Sequence, residues 1–327
     1  MTPNQIKASL RTLVPLQQPV FLWGAPGVGK SQVVAQVAEE LGRELTDIRA
    51  VLLDPVDLRG LPSVNNDGTA HWCPPAFLPT QGEGVLFLDE LNAAPPLVQA
   101  ACYQLVLDRK VGEYTLPDGW TVVAAGNRET DRAVTHRMPS ALANRFVHLD
   151  FSVDVETWLE WAEQRELAEE VRAFIRFRPN LLHDFDPKKS EKAFPSPRSW
   201  EFAARIIAAR PEPDVELSLL KGTVGPGAAI EFAGFSKLFR QLPDPEVIIK
   251  DPESAEIPEE PATLYALCEA LANKAGDNTA ESIIAYASRL PSEFGVLLVR
   301  DSVKTHRGVV ESPAFSRWAT ANSDVLL

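Results

Sequence analysis

The chain has 327 residues, 45% hydrophobic and 24% charged, which excludes collagen-like, coiled-coil and wholly disordered architectures. Its 32 basic and 45 acidic residues leave a formal charge of −13, a poor balance for sequence-independent DNA binding, which needs Lys and Arg against the phosphates. Length suggests about two domains.

Strands and helices alternate in the first half. Pro19-Val20-Phe21-Leu22-Trp23 is a short apolar run before a glycine-rich stretch, as expected of a buried parallel strand. The helix that follows has Val34, Val37, Ala38 and Leu41 at helical spacing, with Gly42 at its C-terminal cap. Further strands are expected within 44–53, at Val85-Leu86-Phe87-Leu88, at 121–125 and at 146–151. A helix over 96–109 would turn Leu97, Ala101 and Leu105 to one side. This alternation predicts a parallel sheet covered on both faces. Residues 54–80 contain the turn signal Asn65-Asn66-Asp67-Gly68, and residues 111–120 contain Pro117-Asp118-Gly119. Both segments are expected to project as hairpins that expose Leu61, Trp72 and Tyr114.

After Phe151 the pattern is helical, with Trp158, Trp161, Val171, Phe174 and Ile175 in one set and Trp200, Ala203, Ala204 and Ile207 in another. The expected organisation is an α/β domain over 1–151, a helical domain over 152–249, an acidic proline-rich linker over 250–261 and a helical extension over 262–327. The cysteines Cys73, Cys102 and Cys268 are far apart and odd in number, so they build neither a disulfide framework nor a four-ligand zinc site. A reducing, cytoplasmic setting is expected. Met1 to Gln18 holds no continuous apolar run, and nothing approaches the roughly 20 apolar residues of a membrane span, so a soluble intracellular chain is expected.

Gly24-Ala25-Pro26-Gly27-Val28-Gly29-Lys30-Ser31 satisfies the phosphate-loop pattern G-x-x-x-x-G-K-[ST], with a strand before it and a capped helix after it. Glycines let backbone N–H groups curl around phosphates, Lys30 supplies positive charge and Ser31 offers a hydroxyl to Mg²⁺. With Gln32, these residues are the expected cradle for ATP. The Val85–Leu88 strand delivers Asp89 and Glu90 at its C-terminal end, where open α/β sheets bind ligands. Asp89 is the candidate Mg²⁺ ligand, and Glu90 the candidate for polarising the attacking water. Asn127 follows the fourth strand, as either a phosphate- or water-binding amide or a turn residue. Arg145 precedes the fifth strand. Arg198 sits just inside a helix predicted to start with Ser196 as cap and Pro197 as first residue.

Taken in order, these residues resemble the AAA+ ATPases, and the two hairpins resemble the helix-2-insert and pre-sensor-1 branch. Within it, Asp89-Glu-Leu-Asn-Ala-Ala-Pro is similar to the Asp-Glu-Ile-Asn-Arg-Ala-Pro run of the MoxR family. The resemblance spans roughly residues 15–240. It implies a sheet of order 5-1-4-3-2 with an all-helical lid domain, and a homo-oligomeric, hexameric ring. It also implies sensor roles for Asn127 and Arg198, and a finger role for Arg145 in the neighbour's nucleotide site. Arg128, Arg132 and Arg137 are further candidates for a contact in trans. Ala93 departs from the family's arginine, which puts that arginine's contact in doubt. The implied activity is ATP hydrolysis with Mg²⁺ that remodels or activates a protein, with an adaptor holding a von Willebrand factor A domain as the implied partner.

Two other readings stay open: a DNA-processing motor of the same branch, and a nucleotide-gated scaffold with slow turnover. Residues 51–80 hold Arg59 as their one Lys or Arg against Asp54, Asp57 and Asp67, which argues for a protein partner over nucleic acid. Glu90 argues against a pure binder. His71-Trp72-Cys73 reads as a hairpin strand ahead of a metal site.

Overall fold

The structure is a computed structural model that describes residues 1–131, 136, 138–189 and 191–322. It divides into two compact units, the first made of Met1–Trp158 with Phe185–Ser190 and Ser196–Arg198. Its strands are β1 (Val20–Trp23), β2 (Glu44–Arg49), β3 (Leu61–Val64), β4 (Ala70–Cys73), β5 (Gly84–Asp89), β6 (Lys110–Val111), β7 (Tyr114–Thr115), β8 (Trp120–Gly126) and β9 (Val147–Asp150). Five of them form one parallel sheet in the order β2-β5-β8-β1-β9. Counting only these five along the chain, the order is 5-1-4-3-2, as expected.

Side-chain alternation along each strand builds the two faces of this sheet. Val20, Leu22, Val85, Phe87, Val123 and Ala125 join one core, with Ile6 and Leu10 of α1 (Pro3–Leu13) and Val34 and Val37 of α2 (Lys30–Glu40). Phe21, Leu86, Leu88, Val122 and Ala124 join the other, with Val98, Cys102 and Leu105 of a helix over Pro96–Asp108. Burial on both faces explains why β5 and β8 read as unbroken apolar runs. That helix, α4 once α3 (Pro55–Arg59) is counted, differs from expectation in its first turn. Its buried stripe runs through Val98, Ala101, Cys102, Leu105 and Val106, and Leu97 is 72% exposed. Spacings of three, four, seven and eight from Val98 fill the face, and Leu97 lies off it.

At the end of α2 the Arg43 amide donates to Ala38 O at 2.8 Å and the Gly42 amide to Glu39 O at 3.0 Å. Gly42 has φ +63, so this is the left-handed glycine cap read from the sequence.

Both hairpins form, but only one as expected. β3 and β4 pair antiparallel around Asn65–Gly68, where the Gly68 amide donates to Asn65 O at 3.0 Å. Leu61 and Trp72 on these strands are exposed. In the second hairpin β6 and β7 turn at Gly112-Glu113, with Gly112 at φ +59. Pro117-Asp118-Gly119 is a separate turn into β8, closed by the Trp120 amide on Pro117 O at 3.3 Å. Tyr114 is therefore not an exposed tip: it is buried, and its hydroxyl donates to Pro79 O at 2.5 Å. A Glu113 carboxylate oxygen accepts from the Trp72 amide at 3.0 Å, tying the hairpins together.

Helices α5 (Ser140–Ala143), α6 (Val155–Gln164) and α7 (Glu169–Phe177) lead out of the sheet region. The second unit comprises Leu159–Asp184, Glu191–Pro195 and Ser199–Leu327. It is helical in its described residues: α8 (Pro197–Ala208, its first two residues in the first unit), α9 (Pro213–Val224), α10 (Pro226–Phe239), α11 (Pro245–Lys250), α12 (Pro261–Ala272), α13 (Ala280–Ala287), α14 (Ser292–Thr305) and α15 (Pro313–Ala321). Residues 251–260 carry no helix or strand, yet they lie against this unit. Ile257 packs on its core, the Tyr286 hydroxyl donates to Glu256 O at 2.9 Å and Arg289 donates to Pro252 O at 2.5 Å. A buried ionic cluster joins three of its helices. Glu269 of α12 meets Arg172 at 3.2 Å and Arg176 at 3.1 Å, both on α7, and Arg176 also pairs with Asp301 of α14. Burial pushes the Glu269 carboxyl up, against the pull of Arg176 and Arg172. No helix among the described residues is long and apolar enough to cross a membrane.

Candidate functional site

An open cleft lies at the C-terminal ends of the parallel strands. It is lined by Pro26–Ser31 of the phosphate loop, Arg49, Asp89, Glu90, Gly126, Asn127 and Arg198. The loop leaves β1 and enters α2 through Gly27 at φ +77 and Gly29 at φ +101, values that side-chain-bearing residues seldom adopt. A Cβ on Gly27 would also stand 2.9 Å from Ser196 Oγ. Residue 27 therefore has to be glycine for Arg198 to come close, and the Arg198 amide reaches Gly27 O at 3.3 Å.

Lys30 is buried beneath the loop. Its Nζ donates to Gly24 O at 2.7 Å, Ala25 O at 3.1 Å and Asn127 Oδ1 at 3.2 Å. Burial lowers its pKa to about 8, opposed by the nearby carboxylates of Asp89, Asp131 and Glu90 and reinforced by Arg198. Ser31 Oγ donates to Asp89 Oδ2 at 2.9 Å. Glu90 follows in the left-handed region, φ 56 and ψ 32, with its amide donating back to Asp89 Oδ1 at 2.9 Å. The tight reversal takes Glu90 out of β5 and sets it on the cleft wall.

The structure thus brings together Lys30, Ser31, Asp89, Glu90, Asn127 and Arg198. Gln32 is exposed and outside the lining, because α2 has already begun to turn away. Arg145 is exposed between α5 and β9 and is not part of the cleft of its own chain. Arg128 is engaged within its own unit, donating to Phe151 O at 3.0 Å and standing 3.6 Å from Asp150. Arg132 and Arg137 lie outside the described residues. Arg49, which the sequence did not single out, lines the cleft from the end of β2, in register with Asp89. The strand expected within 44–53 did not mark Arg49 as its end, so no local signal singled it out.

The chemistry of the lining suits a phosphate chain: loop amides and three cationic side chains facing two carboxylates. It also suits Mg²⁺. That ion holds six oxygens at about 2.1 Å, so neighbouring ligands lie about 3 Å apart, which the Ser31 and Asp89 oxygens already match.

Residues 19–146 match the family described as AAA domain (dynein-related subfamily). Midasin of Giardia intestinalis is 30% identical over 172 residues, covering 49% of this chain and 4% of that protein. The chain thus spans a small part of the length of this curated relative. Among solved structures it is similar to NtrX from Brucella abortus in complex with ATP, at 11% identity over 99% of this chain and 68% of that one, with TM-score 0.43. It is also similar to a RuvB mutant of Thermotoga maritima, at 16% identity over 82% of this chain and 79% of that one, with TM-score 0.42. The strand order carries the fold, not these likenesses. The matched segment holds the phosphate loop, Asp89, Glu90 and Asn127.

Proposed function

We propose that the chain hydrolyses ATP with Mg²⁺ in a homo-oligomeric, hexameric ring and uses the cycle to remodel or activate a partner protein, in the manner of MoxR-like activators. The observation that carries this reading is the convergence of Lys30, Ser31, Asp89, Glu90 and Asn127 on one cleft while Arg145 stays exposed outside it.

Loop amides and Lys30 hold the β- and γ-phosphates. Ser31 and Asp89 would hold Mg²⁺, which would neutralise charge on those phosphates. Glu90 accepts a proton from the attacking water as its oxygen bonds the γ-phosphorus and the bond from that phosphorus to the β,γ-bridging oxygen breaks, releasing ADP and phosphate. Asn127, its Oδ1 taken by Lys30, has its amide N–H groups left to orient water or γ-phosphate. Arg198 neutralises charge in cis, and Arg145 of an adjoining subunit does so in trans. A finger of this kind is worth about 10³–10⁵ in rate, so an isolated subunit is nearly idle.

A protein partner is favoured by the surface around β3 and β4. Leu52, Val56, Leu61, Val64, Trp72 and Phe77 are exposed there, and Arg59 is the one Lys or Arg of residues 51–80. An adaptor with a von Willebrand factor A domain is the partner class proposed. Three unpaired cysteines support a reducing, cytoplasmic setting.

The test is the dependence of ATPase on protein concentration. Activity per subunit should rise with concentration and stay low at every concentration in Arg145→Ala, which should still bind ATP. Equal turnover per subunit in dilute monomer and concentrated protein would overturn the ring. Tight retention of single-stranded DNA on a filter would favour a DNA-processing motor instead.

A further inference from the structure

We propose that Asn92 is a positioning residue for hydrolysis: its carboxamide locks the turn that carries Glu90 to the strand end that carries Asn127. The proposal rests on the roles given above to those two side chains.

Asn92 lies in the short helical turn Leu91–Ala93 directly after Glu90 and is 3% exposed. Its Nδ2 donates to the Asn127 carbonyl at 2.7 Å, across from the end of β5 to the end of β8. Its own carbonyl accepts from the His136 amide at 2.7 Å and from Gln99 Nε2 at 3.4 Å, which anchors the turn from two more directions. Onward from Asn127, Oδ1 accepts from Lys30 Nζ. One hydrogen-bonded chain thus runs from the Glu90 turn through Asn92 and Asn127 to the phosphate-loop lysine.

Two features single this side chain out from an ordinary core amide. First, its Oδ1 is buried with no hydrogen-bond partner. Leaving such an oxygen unpaired costs about 1–3 kcal/mol, about what an apolar residue of the same shape would lose by unpairing the Asn127 carbonyl, so packing stability alone gives the amide no advantage. Swapping the amide's oxygen and nitrogen would set Oδ1 against the Asn127 carbonyl, so the unpaired atom is inherent in the contact. Second, the residue opposite is Gly126, where a Cβ would stand 2.1 Å from that same Oδ1. Gly126 has no positive φ to require glycine. The space it leaves is filled by Asn92. The chain therefore accepts an unpaired oxygen and a side-chain-free strand end to place one donor on Asn127.

The effect on the reaction follows from geometry. Glu90 and Asn127 come from different strands and must address one water. Without the Asn92 bridge, each end moves on its own turn. A misplacement of about 1 Å at a reacting centre costs about 100-fold in rate.

The experiment uses the full chain with Asn92→Leu, Asn92→Asp and Glu90→Gln. Asn92→Leu removes the unpaired Oδ1 and unpairs the Asn127 carbonyl, so it should unfold within about 3 °C of the parent, bind MgATP within about threefold and lose about 100-fold in kcat. Amide hydrogen exchange over residues 126–131 should quicken in this variant without nucleotide. Asn92→Asp should be poor at neutral pH, where a carboxylate faces a carbonyl. It should recover as the pH falls and the protonated acid regains a donor, a rise the parent does not share. Loss of stability together with activity in Asn92→Leu, or no acid recovery in Asn92→Asp, overturns the proposal. Parent-like kcat in Asn92→Leu alongside a dead Glu90→Gln overturns it and spares the site reading. Unimpaired turnover in Glu90→Gln overturns the site reading itself.

Discussion

Ser31 Oγ and Asp89 Oδ2 stand 2.9 Å apart, one at the start of α2 and the other at the end of β5. Two hard oxygen donors are thus pre-set at the spacing of adjacent ligands on one small cation. Ser31→Ala should raise the Mg²⁺ concentration needed for half-maximal ATPase, and Asp89→Asn should raise it further by removing a charge. Titrating Mg²⁺ at fixed ATP reads both; an unchanged requirement in the two variants contradicts the assignment.

Lys30 gives a pH dependence of definite sign. Its pKa in the folded chain is about 8, below its ordinary 10.5, so the free cleft loses this charge as pH rises through about 8. The unfolded chain holds the extra proton between those values, so this group makes the free chain more stable as pH climbs across that window. Phosphates restore the ammonium, so nucleotide binding runs the other way. Calorimetry of MgATP binding to Glu90→Gln, in buffers of different ionisation enthalpy, should show uptake of up to about one proton near pH 9 and almost none near pH 6.5. Lys30→Ala should bind too weakly to measure.

The hairpins divide by burial. Leu61→Ser with Val64→Ser should leave basal ATPase intact and change stability by about 0.5 kcal/mol or less, since both side chains face solvent. Leu116→Ala should cost about 2–5 kcal/mol, because Leu116 is 1% exposed in the sheet unit's core. Denaturant unfolding of the two variants reads the contrast, and the reverse ranking would show that the first hairpin belongs to the core.

In the helical unit, Glu269→Ala leaves the Arg172 and Arg176 guanidiniums buried without their shared partner. A loss of about 3–5 kcal/mol is expected in unfolding experiments. A loss below about 1 kcal/mol would mean that water or Asp301 takes over.

What the sequence made legible was whatever local chemistry decides. Gly24 to Ser31 needs its glycines wherever it folds, and Gly42 announces a helix end by its left-handed φ. Strands buried on both faces read as apolar runs, and alternation with helices announced a parallel sheet, whereas its order came only from the family resemblance. The second hairpin misled because Pro117-Asp118-Gly119 is a strong turn signal, whereas the tighter turn uses Gly112-Glu113. Tyr114 looked exposed beside that signal, but its hydroxyl finds Pro79 35 residues away, a contact no local pattern announces. Arg49 and Asn92 went unnoticed for a related reason. Each has an ordinary surface or turn reading, and only the pairing of β2 with β5 brings Arg49 to the cleft and that of β5 with β8 sets Asn92 against Asn127.

Glu90 holds a left-handed backbone, φ 56, that glycine would occupy without steric cost. Enforcing that conformation on a side-chain-bearing residue costs about 1 kcal/mol. A laboratory screen that rewards heat resistance alone should therefore drift toward Glu90→Gly, enriching survivors that melt later and turn over no ATP. Thermal hardiness and catalytic competence pull this one codon in opposite directions.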